Sequence, residues 1–481
     1  MRRITLITLM TLCHGCGDKE DTAPPEGDAD TDADSDADSD TDADSDADSD
    51  ADTDTGSPSL TRWAGEHSLA DATVTITAHP DYRFRYTLVG DLDGDAQADM
   101  VTHTRGSFVV SFGPWTSDTV LVPKENGGVC HLGSAWGDLV DNVDMLDWNG
   151  DGIADVVGGE PSTDKYEQGG AQIAIGPFTL TNCCGTDQVT LWGDERGDEF
   201  GTTVRGLGDV DGDAKDDLMV GSFNNGDQAF LFHSATTTDD RIASSADAIF
   251  VGAQRVFDGV GDLDGDGLDD VVFGDYGTAE NGQYSGAVYV TTAPYAGAID
   301  LPDDAHAILG ADAWDRFGTW VSGVGDIDGD GLNDFAALTD QENYAYLFLG
   351  PGTGATDASM ADATIADPLI EHAESATSHP IEWVGDLDED GRAELVLGLV
   401  DAETAGEQTG AVYIFYGDVA GALTTEDADT RLHGWGTSYA GAAVGAGDDL
   451  DGDGAADLFI GISGTNDLGG QGVVAILPRN P

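Results

Sequence analysis

Basic residues are scarce in this chain: 18 Lys and Arg, only four of them Lys, stand against 93 Asp and Glu, a formal net charge of -75 over 481 residues. Such an acidic balance argues against nucleic acid and anionic membrane surfaces as partners. It suits cations, and a salt-rich medium outside the cytoplasm. Cysteine is scarce too, with five in all. Beyond the N-terminal segment only Cys130, Cys183 and Cys184 remain, without zinc-type spacing. A disulfide from Cys130 to Cys183 or Cys184, and three unpaired thiols, are both open readings. No Gly-x-Ser-x-Gly, His-Glu-x-x-His or phosphate-binding Gly-Lys loop occurs. The ten His are scattered, and carboxylates are too abundant for one pair to stand out as acid and base. The expectation is a protein that is not an enzyme.

Long apolar runs are also missing. The one short run, Ile4 to Leu12, follows Arg2 and Arg3 and is too short to span a bilayer. That is an export signal, and Gly15-Cys16 resembles the end of a bacterial lipobox. Residues 1–16 are thus read as a signal with Cys16 as candidate lipidation site. A lipid anchor there would be the only membrane contact. The expected location is the outer membrane or cell surface, with the periplasm or secretion as alternatives. Residues 17–58 follow as a linker, in which every second residue from Asp28 to Asp54 is Asp. Like charges with nothing apolar to bury predict an extended, disordered spacer. Residues 59–481 form the folded part.

What the chain has in abundance is Asp and Gly, in one repeated arrangement. Asp262-Leu263-Asp264-Gly265-Asp266-Gly267-Leu268-Asp269-Asp270 places acids at positions one, three, five and nine of a loop. Carboxylates so close repel unless a cation neutralises them. Oxygen ligands without His or Cys point to a hard ion, and calcium takes six to eight of them. The loop recurs seven times, 53 to 64 residues apart. Position one is Asp91, Asp147, Asp209, Asp262, Asp326, Asp386 and Asp449. Position three is Asp93, Asn149, Asp211, Asp264, Asp328, Asp388 and Asp451. Position five is Asp95, Asp151, Asp213, Asp266, Asp330, Asp390 and Asp453, and position nine is Asp99, Asp155, Asp217, Asp270, Asp334, Glu394 and Asp457. Position seven would lend its backbone carbonyl, from Gln97, Ile153, Lys215, Leu268, Leu332, Arg392 and Ala455. Up to seven calcium ions are expected. An EF-hand is excluded, because that loop needs twelve residues, a terminal Glu and flanking helices.

The loops differ. Asn149 loses a charge, Ala96 and Ala214 replace Gly at position six, and Glu389 and Glu394 replace Gly and Asp in the sixth loop. The loops at Asp262, Asp326 and Asp449 therefore rank strongest.

Short strand-like runs flank each loop, four per repeat. Seven units of four strands predict an all-β, seven-bladed β-propeller with four-stranded antiparallel blades. The last unit has only three strands before Pro481, and the alternating segment Ala72 to Ala78 precedes the first loop. That segment is expected to complete the last blade and close the ring.

With these motifs in place, residues 60 to 481 resemble FG-GAP repeats, the units of the integrin alpha-subunit propeller. Phe200-Gly201 and Phe317-Gly318 match the Phe-Gly of the repeat, and Gly286-Ala287-Val288-Tyr289 and Gly410-Ala411-Val412-Tyr413 its Gly-Ala part. The resemblance implies calcium in the hairpin between the first two strands of each blade, and a role in adhesion or recognition. The expected partner is a protein or glycan. The rival readings are a propeller hydrolase or lyase acting in the central channel, and a structural envelope component. Alternation of loops between the two faces would put the Asp loops on one side. The opposite side would collect Trp136, Tyr166, Glu195, Phe223, Tyr276, Tyr284, Trp314, Trp435 and Tyr439.

Overall fold

The computed structural model describes residues 65–477, except 79–86, 122–128, 131–141, 162–167, 180–186, 367–380, 451–456, 463–472 and some shorter stretches. The export segment, the linker, Cys16, Cys183, Cys184, Trp136 and Tyr166 lie outside the described residues.

The chain folds as a seven-bladed β-propeller of mostly antiparallel blades. In the fourth blade the strands are Val256–Gly261, Asp270–Asp275, Ala287–Thr291 and His306–Leu309, hydrogen-bonded in that order. The first strands, among them Asn142–Leu146, Thr203–Gly208, Val256–Gly261 and Trp320–Gly325, pack against one another as the innermost strands. In the seventh blade Ala440–Ala446, Leu458–Ile462 and Val473–Leu477 are followed by Val74–Ala78, which runs antiparallel to Val473–Leu477 with Ile76 opposite Val474.

Second strands are buried on both faces because each blade is sandwiched between two others. In Asp217–Ser222, Leu218 and Val220 join the apolar cluster shared with the second blade. Met219, pointing the other way, joins the cluster shared with the fourth. Among the described residues seven such clusters occupy the seven interfaces between neighbouring blades. Each buried Val, Leu or Phe there contributes roughly 1.5–3 kcal/mol of transfer free energy.

The Phe-Gly and Gly-Ala motifs meet across these interfaces. Phe317 is fully buried and forms a parallel bridge to Gly286 of the preceding blade. A Cβ on Gly318 would lie 2.3 Å from the Ala287 carbonyl oxygen, and Gly318 has φ +79°. Only glycine fits, so the motif is a close backbone crossing between blades. In the seventh blade Ala440-Gly441 takes this place, with Ala440 bridged to Gly410.

A further regularity protects the blade edges. The segment leading into strand four of one blade adds a short parallel strand outside the preceding blade. Gly297–Asp300 pairs with Ala248–Val251 and Gly421–Thr424 with Ala363–Ala366. Gly65–Ser68 pairs with Thr430–His433 and Thr119–Leu121 with Val74–Ala78. Covering the outer strand removes an open row of hydrogen-bonding groups.

Candidate metal centres

Each Asp loop is the turn between the first and second strands of its blade. Its carboxylates build the turn before any ion is considered. In the fifth loop Asp326 Oδ1 accepts from the N–H of Gly329 (2.7 Å) and Asp330 (3.0 Å), and Oδ2 from Gly331 (2.8 Å). Asp328 Oδ1 accepts from Asp330 N–H at 3.0 Å, and Asp330 Oδ1 from Leu332 N–H at 2.9 Å. The same position-one pattern recurs at Asp91, Asp147, Asp209, Asp262 and Asp386. Position seven donates its N–H to the position-five carboxylate at Gln97, Ile153, Lys215, Leu268 and Arg392 too.

Position six sits in the left-handed region throughout the described loops. Gly152, Gly267, Gly331 and Gly391 have φ between +80° and +91°, and Ala96 and Ala214 are held at +62° and +64°. The Ala replacements are therefore strained, as the pattern implied.

Position nine is the buried end of the site. Asp334 Oδ2 accepts from Ile327 N–H (2.8 Å) and Oδ1 from Gly350 N–H (2.6 Å), which ties the loop to the connection after the third strand. Asp99, Asp155, Asp217 and Asp270 are held the same way. Burial pushes Asp99, Asp155, Asp217 and Asp270 up to about 7, Asp334 to about 6 and Glu394 to about 8, against the pull of these hydrogen bonds.

The loops gather ligand atoms within 4.8 Å of one another: Asp91, Asp93 and Asp99 in the first, Asp262, Asp264 and Asp270 in the fourth. The third gathers Asp209, Asp211 and Asp213, and the sixth gathers Asp386, Asp388, Asp390 and Glu394. Glu394 is fully buried, and its Oε1 takes no hydrogen bond. The residue that broke the sequence pattern thus completes a four-carboxylate cluster. An oxygen-only donor set with an unused buried carboxylate oxygen fits a hard divalent cation. In the seventh loop Asp449 and Asp457 are described, with Leu450 N–H donating to Asp457 Oδ2 at 2.8 Å. Asp451, Asp453 and Ala455 lie outside the described residues, as does Glu389.

Sequence reasoning missed position eight. Its N–H donates to the position-one carbonyl of the preceding loop: Ala154 to Asp91 (2.8 Å), Asp216 to Asp147 (3.1 Å), Asp269 to Asp209 (3.0 Å), Asn333 to Asp262 (2.9 Å) and Ala393 to Asp326 (2.8 Å). The acids there return the bond, Asp216 Oδ2 accepting from Asp147 N–H and Asp269 Oδ2 from Asp209 N–H, both at 2.7 Å. These two carboxylates are links between blades. Because position eight also holds Ala and Asn, it shows no periodic signal.

On the opposite side, Trp314 is 49% exposed, Tyr276 40% and Tyr284 37%. Phe223 is buried, and Trp435 and Tyr439 are half-buried. Trp314 N–H donates to the Gln283 carbonyl (2.8 Å) and Arg316 N–H to that of Tyr284 (3.0 Å), so the connector between blades four and five lies on the second-to-third-strand loop of blade four. The Tyr284 and Trp314 rings are 5.3 Å apart, with the Arg316 guanidinium 5.8 Å from the Tyr284 centroid.

Among the described residues no helix is long and apolar enough to cross a membrane. A family model described as an FG-GAP-like repeat matches residues 326–397. No curated protein matches the sequence. Among solved structures the chain is similar to BBS1N in its complex with ARL6DN, at 9% identity over 83% of this chain and 94% of that one, with a TM-score of 0.47. It is also similar to a chain in a humanized mutant of the Chaetomium thermophilum Polycomb Repressive Complex 2, at 7% identity over 88% and 97% of the two chains, with a TM-score of 0.45. The chain thus carries an FG-GAP-like repeat from the fifth Asp loop into the sixth blade, and the Asp loop and four-stranded blade of that repeat recur around the ring of the β-propeller.

Proposed function

We propose that this propeller is an exported, calcium-stabilised recognition module, anchored through Cys16, that binds a protein or glycan with the face opposite its Asp loops. The observation that carries this reading is the Tyr276, Tyr284 and Trp314 group. Large aromatics exposed together on one face offer rings that suit sugars or an apolar anchor. Tyr284, Trp314 and Arg316 also hold φ values of +54°, +78° and +53°. The same turn recurs in the third blade, where Gly197 (+91°) and Glu199 (+53°) hold the places of Trp314 and Arg316, so this backbone belongs to the repeat and what is particular to this blade is the aromatic side chain it carries. Calcium in the Asp loops would neutralise their carboxylates and fix the hairpins, leaving the aromatic face preformed. The test is a binding screen of the full chain against glycans and envelope proteins in calcium. Binding abolished by Trp314→Ala supports the reading. Binding that survives Trp314→Ala and Tyr284→Ala together refutes it.

A second reading, a hydrolase or lyase acting in the channel, is favoured by one cluster on the innermost strands. Asp144 and Asp258 flank Arg205, whose Nε lies 3.5 Å from Asp258 Oδ1. Burial raises Asp144 above the usual carboxylate range and Asp258 to about 6, while Arg205 pulls both down. Both carboxylates also serve the fold. Asp144 Oδ2 accepts from Gly206 N–H (3.0 Å) and Asp258 Oδ2 from Gly323 N–H (3.4 Å), each on the next blade. Those bonds account for the cluster without catalysis, so recognition is the preferred reading.

A further inference from the structure

The third loop is chemically unlike the others. Its position-seven residue is Lys215, whose Nζ contacts Asp213 Oδ2 and lies 3.4 Å from Ser234 Oγ. One of the four loop carboxylates is therefore already neutralised by the protein's own ammonium. In its place stands an imidazole: His233 Nδ1 is 3.2 Å from Asp211 Oδ2. Asp211, Asp217 and His233 each bring a ligand atom within 4.8 Å of the others.

His233 is placed by the blade, not by chance contact. It follows the third strand, Gln228–Phe232, directly before Ser234, whose N–H donates to Asp217 Oδ1 at 2.7 Å. Its own N–H donates to Asp247 Oδ2 (2.9 Å), and its carbonyl accepts from Arg241 Nη1 (3.0 Å). Arg241 and Asp247 are themselves paired at 2.8 Å, and the guanidinium sits 5.0 Å over the Phe232 ring. The imidazole is thus pre-aimed at the loop. Nδ1 is the nitrogen that faces the carboxylates and would ligate; Nε2, the other ring nitrogen, is buried with no hydrogen-bond partner, and the side chain keeps 25% exposure. In the first, second, fourth and fifth blades the residue before the equivalent main-chain donor is Phe112, Ile175, Thr292 and Leu349. None of those offers a nitrogen.

We infer that the third loop is a mixed nitrogen and oxygen site, selective for a borderline divalent transition metal such as Zn²⁺ or Co²⁺, with Asp211, Asp217 and His233 as ligands. Calcium takes oxygen ligands and gains little from an imidazole, whereas zinc-type ions take His together with carboxylates. Lys215 adds to the discrimination. By holding Asp213 it takes an oxygen out of the loop, which costs calcium, with its six to eight oxygen ligands, more than a four-coordinate zinc-type ion; its positive charge opposes any divalent cation alike. The inference rests on the reading that these loops hold cations, and it assigns one of them a different cation.

The test is a Co²⁺ titration of the full chain in saturating calcium, followed by visible absorption, with bound cobalt and calcium counted separately by elemental analysis. The same titration is run on His233→Gln. The wild type is expected to take up one Co²⁺ with a ligand-field band in the visible. His233→Gln is expected to lose that band and that ion, while keeping the calcium content and the calcium-induced rise in melting temperature of the wild type. Those controls separate a lost ligand from a lost fold. Equal cobalt uptake by the two proteins overturns the inference, as does a wild type that binds calcium and no cobalt. If neither ion binds, the parent reading of the loops falls as well.

Discussion

The backbone N–H of Ala98, in the first Asp loop, donates to the carbonyl of Asp449, the first residue of the seventh, at 3.4 Å. It belongs to the series of position-eight bonds that links each described loop to the one before, here joining the two ends of the repeat array. A second bond spans the same junction, from Trp115 N–H to the Leu450 carbonyl at 2.8 Å. The Asp loops therefore form one hydrogen-bonded rim. An ion that orders one loop also fixes the carbonyl or N–H that holds its neighbour.

Position eight gives the first prediction. Asp269→Ala removes the carboxylate that accepts from Asp209 N–H at 2.7 Å and leaves a half-buried donor unpaired. The expected loss is about 1–3 kcal/mol of unfolding free energy. Asp269→Asn, which keeps an accepting oxygen at the same place, serves as the control and should lose less. Denaturant melts of both variants in calcium check this.

Position six gives the second. Ala96 and Ala214 are held at φ +62° and +64°. Ala96→Gly and Ala214→Gly should each stabilise the protein, by about 0.5–1 kcal/mol after the entropy cost of glycine is subtracted. Gly267→Ala should destabilise by about 1 kcal/mol through the backbone alone. A Cβ at Gly267 meets nothing within 4 Å, so no steric clash enters.

Much of this was legible in the sequence because the physics repeats. The Asp loops, the strands beside them and the blade count follow from carboxylate spacing and apolar alternation. Position nine was legible as an acid but not as a clamp, since its second oxygen bonds a residue 14 to 23 positions away. Single departures from the repeat were harder to read. Glu394 looked like a weakening and closes a cluster, while His233 lies outside the loop it faces, 16 residues after Asp217. Trp314 could equally have packed between blades. Its 49% exposure shows it facing outward.

The innermost strands give the third prediction, a pH dependence. Asp258 is raised to about 6 by burial, so the folded state holds its proton more tightly than the unfolded chain. Its contribution is favourable below the ordinary carboxylate range, near about 4, and is lost as pH rises through about 6. In chelator, the melting temperature of the wild type should fall between those two values more than that of Asp258→Asn. Equal slopes would show that Asp258 does not titrate as its surroundings require.

The loops should also differ in strength. Asp266→Ala removes a position-five ligand from a loop with glycine at positions four and six. Asp95→Ala does the same beside the strained Ala96. Asp266→Ala should cost more of the calcium-dependent stability, read as a smaller calcium-induced shift in melting temperature.

The most direct measurement of the central claim is a thermal melt of the full chain in excess chelator against millimolar calcium, with bound metal counted by elemental analysis. Each ion bound only by the folded state adds about 2.7 kcal/mol at a hundredfold excess over its dissociation constant, so several sites should raise the melting temperature by roughly tens of degrees. A large upward shift with at least about three calcium ions per chain is the predicted result, since oxygen-only loops of this kind suit calcium. An unchanged melt, or a saturated protein that holds fewer ions than that, would contradict the account.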